Sequence, residues 1–97
     1  MPKQALLFDE RDNVVTTLAP LEVGEAVTVV GRDGIPVTRL RAREHIDVYH
    51  KLALRDICDH ETVMKYGETI GMATCDIPEG SHVHVHNVIG PKVGHHA

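Results

Sequence analysis

Asp76-Ile77-Pro78-Glu79-Gly80-Ser81-His82-Val83-His84-Val85-His86-Asn87 opens on an acidic-apolar pair, passes through a Pro/Gly turn and launches an alternating run. Proline fixes φ near the turn value and glycine accepts positive φ, so residues 78–80 form a tight turn. Beyond it, valines alternate with histidines at the period of a half-buried strand, which predicts a strand from His82 to Val88. Asp56-Ile57-Cys58-Asp59-His60-Glu61-Thr62-Val63 has the same pattern twenty residues upstream, and Pro20-Leu21-Glu22-Val23-Gly24-Glu25-Ala26-Val27 is a shorter relative. The unit is too short for a solenoid repeat, and recurrent turn chemistry in a β protein explains it as well as duplication does. Either way, turns are predicted near Gly24, His60 and Gly80.

Working outward, the same alternation of β-rich runs and turn signals covers the chain. Ala5–Phe8 and Val14–Leu18 flank the polar turn Asp9-Glu10-Arg11-Asp12-Asn13, a hairpin pattern. Ala26–Val30 and Ile35–Leu40 flank Gly31-Arg32-Asp33-Gly34, a second one. Arg41–Tyr49 has no clear period and fits a loop, a helical turn or an irregular strand. His50–Leu54 reads as extended, Val63–Tyr66 and Thr69–Thr74 as strands joined at Gly67-Glu68. No window carries a long 3.6-residue apolar period, so the fold class is all-β, many short strands, in one domain over residues 1–90 with a flexible tail at 91–97. His95 and His96 in that tail receive no site role.

Composition narrows the function. A chain of 97 residues buries only about 60–65% of the surface its unfolded form exposes, so its core is thin. With no Trp and one Phe, packing falls to Val, Ile, Leu and Ala, and a large enclosed active site is hard to build without a partner. Ten Lys+Arg against fourteen Asp+Glu is the wrong sign for a nucleic-acid binder. Cys58 and Cys75 lack the spacing of a zinc knuckle or redox pair, which fits a reduced cytoplasm. The four apolar residues Ala5–Phe8 are too few for a signal-peptide core or a membrane span, so a cytoplasmic location with no membrane contact is expected.

The histidine row carries the chemistry. On a strand, His82, His84 and His86 share one face while Val83 and Val85 fill the other. Neutral imidazole is the commonest metal ligand. Neighbours in the row stand roughly 7 Å apart at Cα and the outer two roughly 13 Å, so at most two of the three serve one ion. The competing reading is a solvated strand face whose imidazoles bond to their neighbours. His50, in His50-Lys51, completes the metal site or moves a proton if the fold brings it beside His84. Lys65, in Val63-Met64-Lys65-Tyr66-Gly67, is a candidate for a substrate carboxylate, against the plainer role of a solvated lysine before a turn. Arg39, Arg41 and Arg43 alternate and would steer an anion, face an acidic partner, or simply be solvated.

Three ordered runs, His50–Ile57, Val63–Ala73 and Asp76–Asn87, resemble the SAF domain of altronate and galactarate dehydratases. The module is also similar to the small subunit of sulfolactate sulfo-lyase. The resemblance covers nearly the whole chain, strongly from His50 to Asn87. It implies a β-clip, a long bent hairpin folded over on itself, and a large dehydratase subunit that supplies much of the active site. It further implies a divalent metal, iron(II) with manganese or zinc as alternatives, acting as a Lewis acid on the hydroxyl and carboxylate of a small anionic sugar acid while a protein base takes the C2 proton. On that pattern His82, His84 and His86 are the metal candidates, His50 and Lys65 the catalytic ones, and Lys65, Tyr66 and Asn87 the substrate-binding ones. Tyr49 and His60 depart from it where glycine is expected, so the turns flanking His50 must avoid positive φ or tolerate strain. Alternatives are carbon–sulfur cleavage of sulfolactate, a non-enzymatic binding or assembly-chaperone module, and a structural homo-oligomer built on exposed sheet edges.

Overall fold

The computed structural model describes residues 2–90, so the tail expected at 91–97 lies outside the described residues. The chain is all-β, with β1 Lys3–Leu6, β2 Val14–Thr17, β3 Ala26–Val30, β4 Pro36–Arg41, β5 Lys51–Ala53, β6 Thr62–Lys65, β7 Glu68–Ala73, β8 His82–Val83 and β9 Val88–Ile89. They form a six-stranded sheet in the order β4-β3-β1-β2-β5-β8 and a three-stranded sheet in the order β6-β7-β9. This all-β arrangement with parallel and antiparallel pairs agrees with the β-clip that the resemblance implies. Among the described residues no helix is long and apolar enough to cross a membrane.

Both hairpins expected early in the chain are present: β1 pairs antiparallel with β2, and β3 with β4. The strand β1 also pairs in parallel with β3, Ala5 opposite Val29, a non-local contact that no local pattern announces. The thin core divides in two. Val15, Leu21, Val29, Leu40, Ile46 and Leu52 belong to one cluster. Val14, Ala53, Ile57, Val63, Ile77 and Val83 belong to the other. Neighbouring residues of β2 and of β5 thus serve opposite clusters, as strand alternation requires.

The internal echo is structural and has four copies. Leu21 bridges Ile46, and Ile57 bridges Ile77, each pair antiparallel. Three residues after each of these apolar anchors the backbone has positive φ: Gly24 at 83°, Tyr49 at 68°, His60 at 70° and Gly80 at 85°. Each of these residues is the third position of a β-turn closed by a backbone hydrogen bond: Glu25 N–H to Glu22 O, His50 to Asp47, Glu61 to Cys58 and Ser81 to Pro78. Two copies clasp each other reciprocally, because the Asp56 carboxylate accepts from Glu79 N–H and the Asp76 carboxylate from Asp59 N–H, both at 2.8 Å. Tyr49 and His60 therefore tolerate the left-handed conformation rather than avoid it. The fourth copy, from Ile46 to Tyr49, lies inside the segment whose sequence showed no period.

Two expectations are corrected. The β6–β7 turn is Tyr66-Gly67, not Gly67-Glu68: Lys65 pairs with Glu68, and both loop residues have positive φ, at 59° and 72°. That is the primed turn whose twist matches a two-residue hairpin. The single strand expected from His82 to Val88 is broken: β8 ends at Val83 in the large sheet, residues 84–87 turn, and β9 pairs with β7 in the small sheet. The reason is Asn87, whose side-chain oxygen accepts from His84 N–H at 2.9 Å and whose amide donates to His82 O at 2.9 Å. Those bonds offer the backbone a turn in place of a ladder.

Candidate metal centre

In the pairing of β5 with β8, Leu52 stands opposite His82. His50 lies two residues before Leu52 and so shares its face, and the same register extended one step sets His84 opposite His50. Ligand nitrogens of His50, His82 and His84 lie within 4.8 Å of one another, and all three side chains are partly buried. His50 Nδ1 and His82 Nε2 are 2.9 Å apart, a hydrogen bond in which one ring carries the proton and the other accepts it. The His84 ring stacks on His50 at 4.6 Å between centroids and on His82 at 5.3 Å.

His86 is placed differently from the extended-strand expectation. The turn folds it back, so its ring sits 5.2 Å from that of His82, instead of the long separation a straight strand would impose. It is exposed and is not part of the group of three.

Burial is the main cause that lowers the His82 imidazole below its ordinary range, with the charges of His50, His86 and His84 adding to it. Burial likewise lowers His84, followed by the charges of His50 and Lys51. Both effects favour the neutral ring, which is the form that binds a metal. Two nitrogens on one ion stand roughly 3–4 Å apart, so rotamer shifts of about an ångström at the widest pair would close the set. The three imidazoles therefore fit a divalent ion of intermediate softness with positions left open.

Support comes from residues the sequence did not single out for it. Glu44 accepts from His82 N–H at 3.1 Å. Asn87, expected to bind substrate, is buried with its carboxamide engaged by His82 and His84 backbone, so it positions the turn. Glu44 lies in the segment without a period, and only the Asn87 side chain's turn-forming chemistry was a usable signal.

Lys65 and Tyr66 end the β6 arm. The Lys65 ammonium lies 4.9 Å from the Tyr66 ring centroid and 5.3 Å from that of Phe8. Asp12 and Asn13 hold this arm to the large sheet. The buried Asp12 carboxylate accepts from Tyr66 N–H at 3.0 Å and Gly67 N–H at 2.8 Å, and Asn13 bonds both Thr62 O and Met64 N–H at 2.8 Å. Arg41 donates to Gly24 O and Arg43 to Glu79 O, so two of the three arginines in the alternating row tie turns together.

A folded-over all-β module presenting three clustered imidazoles is defined by these features as a site-bearing unit of modest size. The family model for the altronate/galactarate dehydratase SAF domain matches residues 3–91. The chain belongs to that family. It is 38% identical over 84 residues to the (2R)-sulfolactate sulfo-lyase subunit alpha of Chromohalobacter salexigens, covering 86% of this chain and 89% of the relative. It is 33% identical over 85 residues to the altronate dehydratase of Bacillus subtilis, covering 88% of this chain and 16% of that protein. With the altronate dehydratase of Escherichia coli the identity is 45% over 76 residues, 78% of this chain and 14% of the relative. Relatives of this chain are thus subunits or modules of larger lyases.

Proposed function

We propose that this chain is the small subunit or N-terminal-type module of a metal-dependent hydro-lyase that dehydrates sugar acids of the altronate/galactarate type, acting with a large catalytic subunit. The observation that carries the proposal is the convergence of His50, His82 and His84, with ligand nitrogens within 4.8 Å of one another. Iron(II), or manganese or zinc in its place, suits such a donor set. When bound, the ion supplies Lewis acidity toward a substrate hydroxyl and carboxylate. Burial, with neighbouring positive charge, lowers the His82 and His84 imidazoles and so favours the neutral, ligating form. Asn87 and Glu44 fix the backbone that carries them. Lys65, beside Tyr66, presents a positive charge to an anionic substrate. His50 is engaged with His82, so abstraction of the substrate proton and completion of the coordination shell fall to the larger partner.

Carbon–sulfur cleavage of sulfolactate is the second reading, favoured by the match to 89% of a sulfo-lyase subunit's length. Calorimetric titration of the full chain, alone and with its large partner, with iron(II), manganese(II) and zinc(II) tests the metal role. Binding is expected to weaken more than about 100-fold in His50→Ala and His84→Ala, beyond what outer-shell changes cost, and to persist in His86→Ala. No binding of any of these ions in either state overturns it. Profiling the assembled complex on altronate, galactarate and sulfolactate separates the two readings.

A further inference from the structure

The outer face of β3 and β4 carries a row of positive charge. Thr28 stands opposite Arg39 and Ala26 opposite Arg41, so these four side chains share one face, while Val27 and Leu40 between them belong to the core. Arg43, two residues past the end of β4, joins Arg39 and Arg41 in lining a cavity of about 620 Å³, with Ala26 and Glu79 also in its wall. All three arginines are exposed, and none makes an ion pair with a carboxylate among the described residues, Glu79 included. Arg41 donates to Gly24 O at 2.9 Å and Arg43 to Glu79 O at 3.0 Å. Each of those guanidiniums is thus fixed through one donor, with its remaining N–H groups open to an acceptor. Arg39 has no such tie among the described residues.

We propose that an extended acidic segment of the large subunit docks across this face, its carboxylates gripped by the guanidinium forks of Arg39, Arg41 and Arg43. Alternate side chains of a strand stand roughly 7 Å apart, so acidic residues at alternate positions of an extended partner meet Arg39 and Arg41 in step. Sites for small molecules bury most of their ligand, whereas these three arginines stand open to solvent and enclose none. The grip falls to side chains because the edge of the sheet is blunted. β4 is the edge strand, but it begins at Pro36, its register shifts beside Val30, and the Gly80 carbonyl already takes the Arg43 N–H just beyond its end. The identity of the partner rests on the proposed lyase function, and the acidic character of its segment rests on the unpaired arginines.

The test adds a peptide of Glu-Ser repeats to the full chain, in excess chelator at low ionic strength, and follows the backbone amide resonances. Saturable shifts are expected at Thr28, Arg39 and Arg41, reversed by added salt. Arg39→Glu is expected to weaken binding about tenfold with the melting temperature unchanged, because that side chain ties nothing in the fold. Arg32→Glu makes the same change of charge in a residue that lines a separate cavity, and is expected to keep binding. Absence of saturable shifts, or equal losses in the two variants, overturns the proposal. So does binding of inorganic phosphate or oligothymidylate as tight as that of the peptide, and so do shifts of the same residues on concentrating the chain alone, which would make a second copy the occupant. With the large subunit itself, Arg39→Glu is expected to weaken association about tenfold, and undiminished association overturns the proposal. Metal titration of the chain does not involve the row, so loss of docking with zinc binding intact strikes the docking alone, and loss of zinc binding with docking intact strikes the metal role alone.

Discussion

Replacing Tyr49 by glycine should make the protein more stable, although it deletes an aromatic ring next to a candidate ligand. Tyr49 holds φ at 68°, and its side chain is 70% exposed, so little apolar burial is lost with it. The left-handed conformation costs a non-glycine residue roughly 1–2 kcal/mol. Glycine gives back about 0.4–1 kcal/mol through the greater freedom of the unfolded chain. The net gain for Tyr49→Gly is about 0.5–1 kcal/mol, or roughly 2–8 °C in melting temperature for a domain of this size. Gly24 and Gly80 occupy the same turn position and supply the controls. At Gly24 an added Cβ meets nothing within 4 Å, so Gly24→Ala shows the conformational strain alone, about 0.5–1 kcal/mol of destabilisation. At Gly80 the Cβ would land on the carbonyl oxygen of Arg41, a backbone atom that cannot swing aside, which adds about 1–3 kcal/mol of overpacking. Differential scanning calorimetry of the three variants gives the ranking. A lower melting temperature for Tyr49→Gly, or equal losses in Gly24→Ala and Gly80→Ala, would refute the shared-turn argument.

Asp12→Ala should cost about 3 kcal/mol, because the buried carboxylate accepts from the backbone of Asp9, Tyr66 and Gly67, and urea titration should show the loss. His45 bridges Asp47 at 2.7 Å and Glu22 at 3.1 Å, and those hydrogen bonds raise its imidazole above the ordinary value of 6.5. A raised folded-state value means the contribution is fully present below the unfolded value and fades as pH rises through the folded one, so stability lost on going above neutral pH should be smaller in His45→Gln, measured by melting temperature against pH. Asn87→Ala should free the turn at 84–87, lowering the melting temperature and weakening zinc binding without removing a ligand.

Local pattern carried most of the strands and little of their assembly. Val-rich runs bounded by Gly and Pro predicted β3 at Ala26–Val30 as observed, and the hairpins on either side of Asp9–Asn13 and Gly31–Gly34. The parallel pairing of β1 with β3 depends on side chains far apart in sequence, so nothing within either strand encoded it. The histidine row misled in one respect. Alternation at His82–His86 is the period of a strand, yet a side chain that competes for backbone hydrogen bonds ended the strand at Val83. The fourth copy of the turn was hidden because His45-Ile46 replaces the acidic-apolar pair of Asp56-Ile57 and Asp76-Ile77, while Tyr49, like His60, stands where the counterparts at 24 and 80 have glycine.

Strand pairing and strand break each shape the candidate centre. A continuous strand would have spread three imidazoles along one face, with the outer two beyond the reach of a common ion. The β5–β8 register sets His84 opposite His50, and the turn that ends β8 brings the His86 ring back to 5.2 Å from that of His82. The cluster therefore draws on β5 and β8, the last pair of the large sheet, with no further strand beyond β8 among the described residues. An edge so placed leaves the imidazoles partly exposed on the side where nothing of the described chain covers them. A domain this small does not enclose such a site, and the relatives of the chain are subunits or modules of larger lyases.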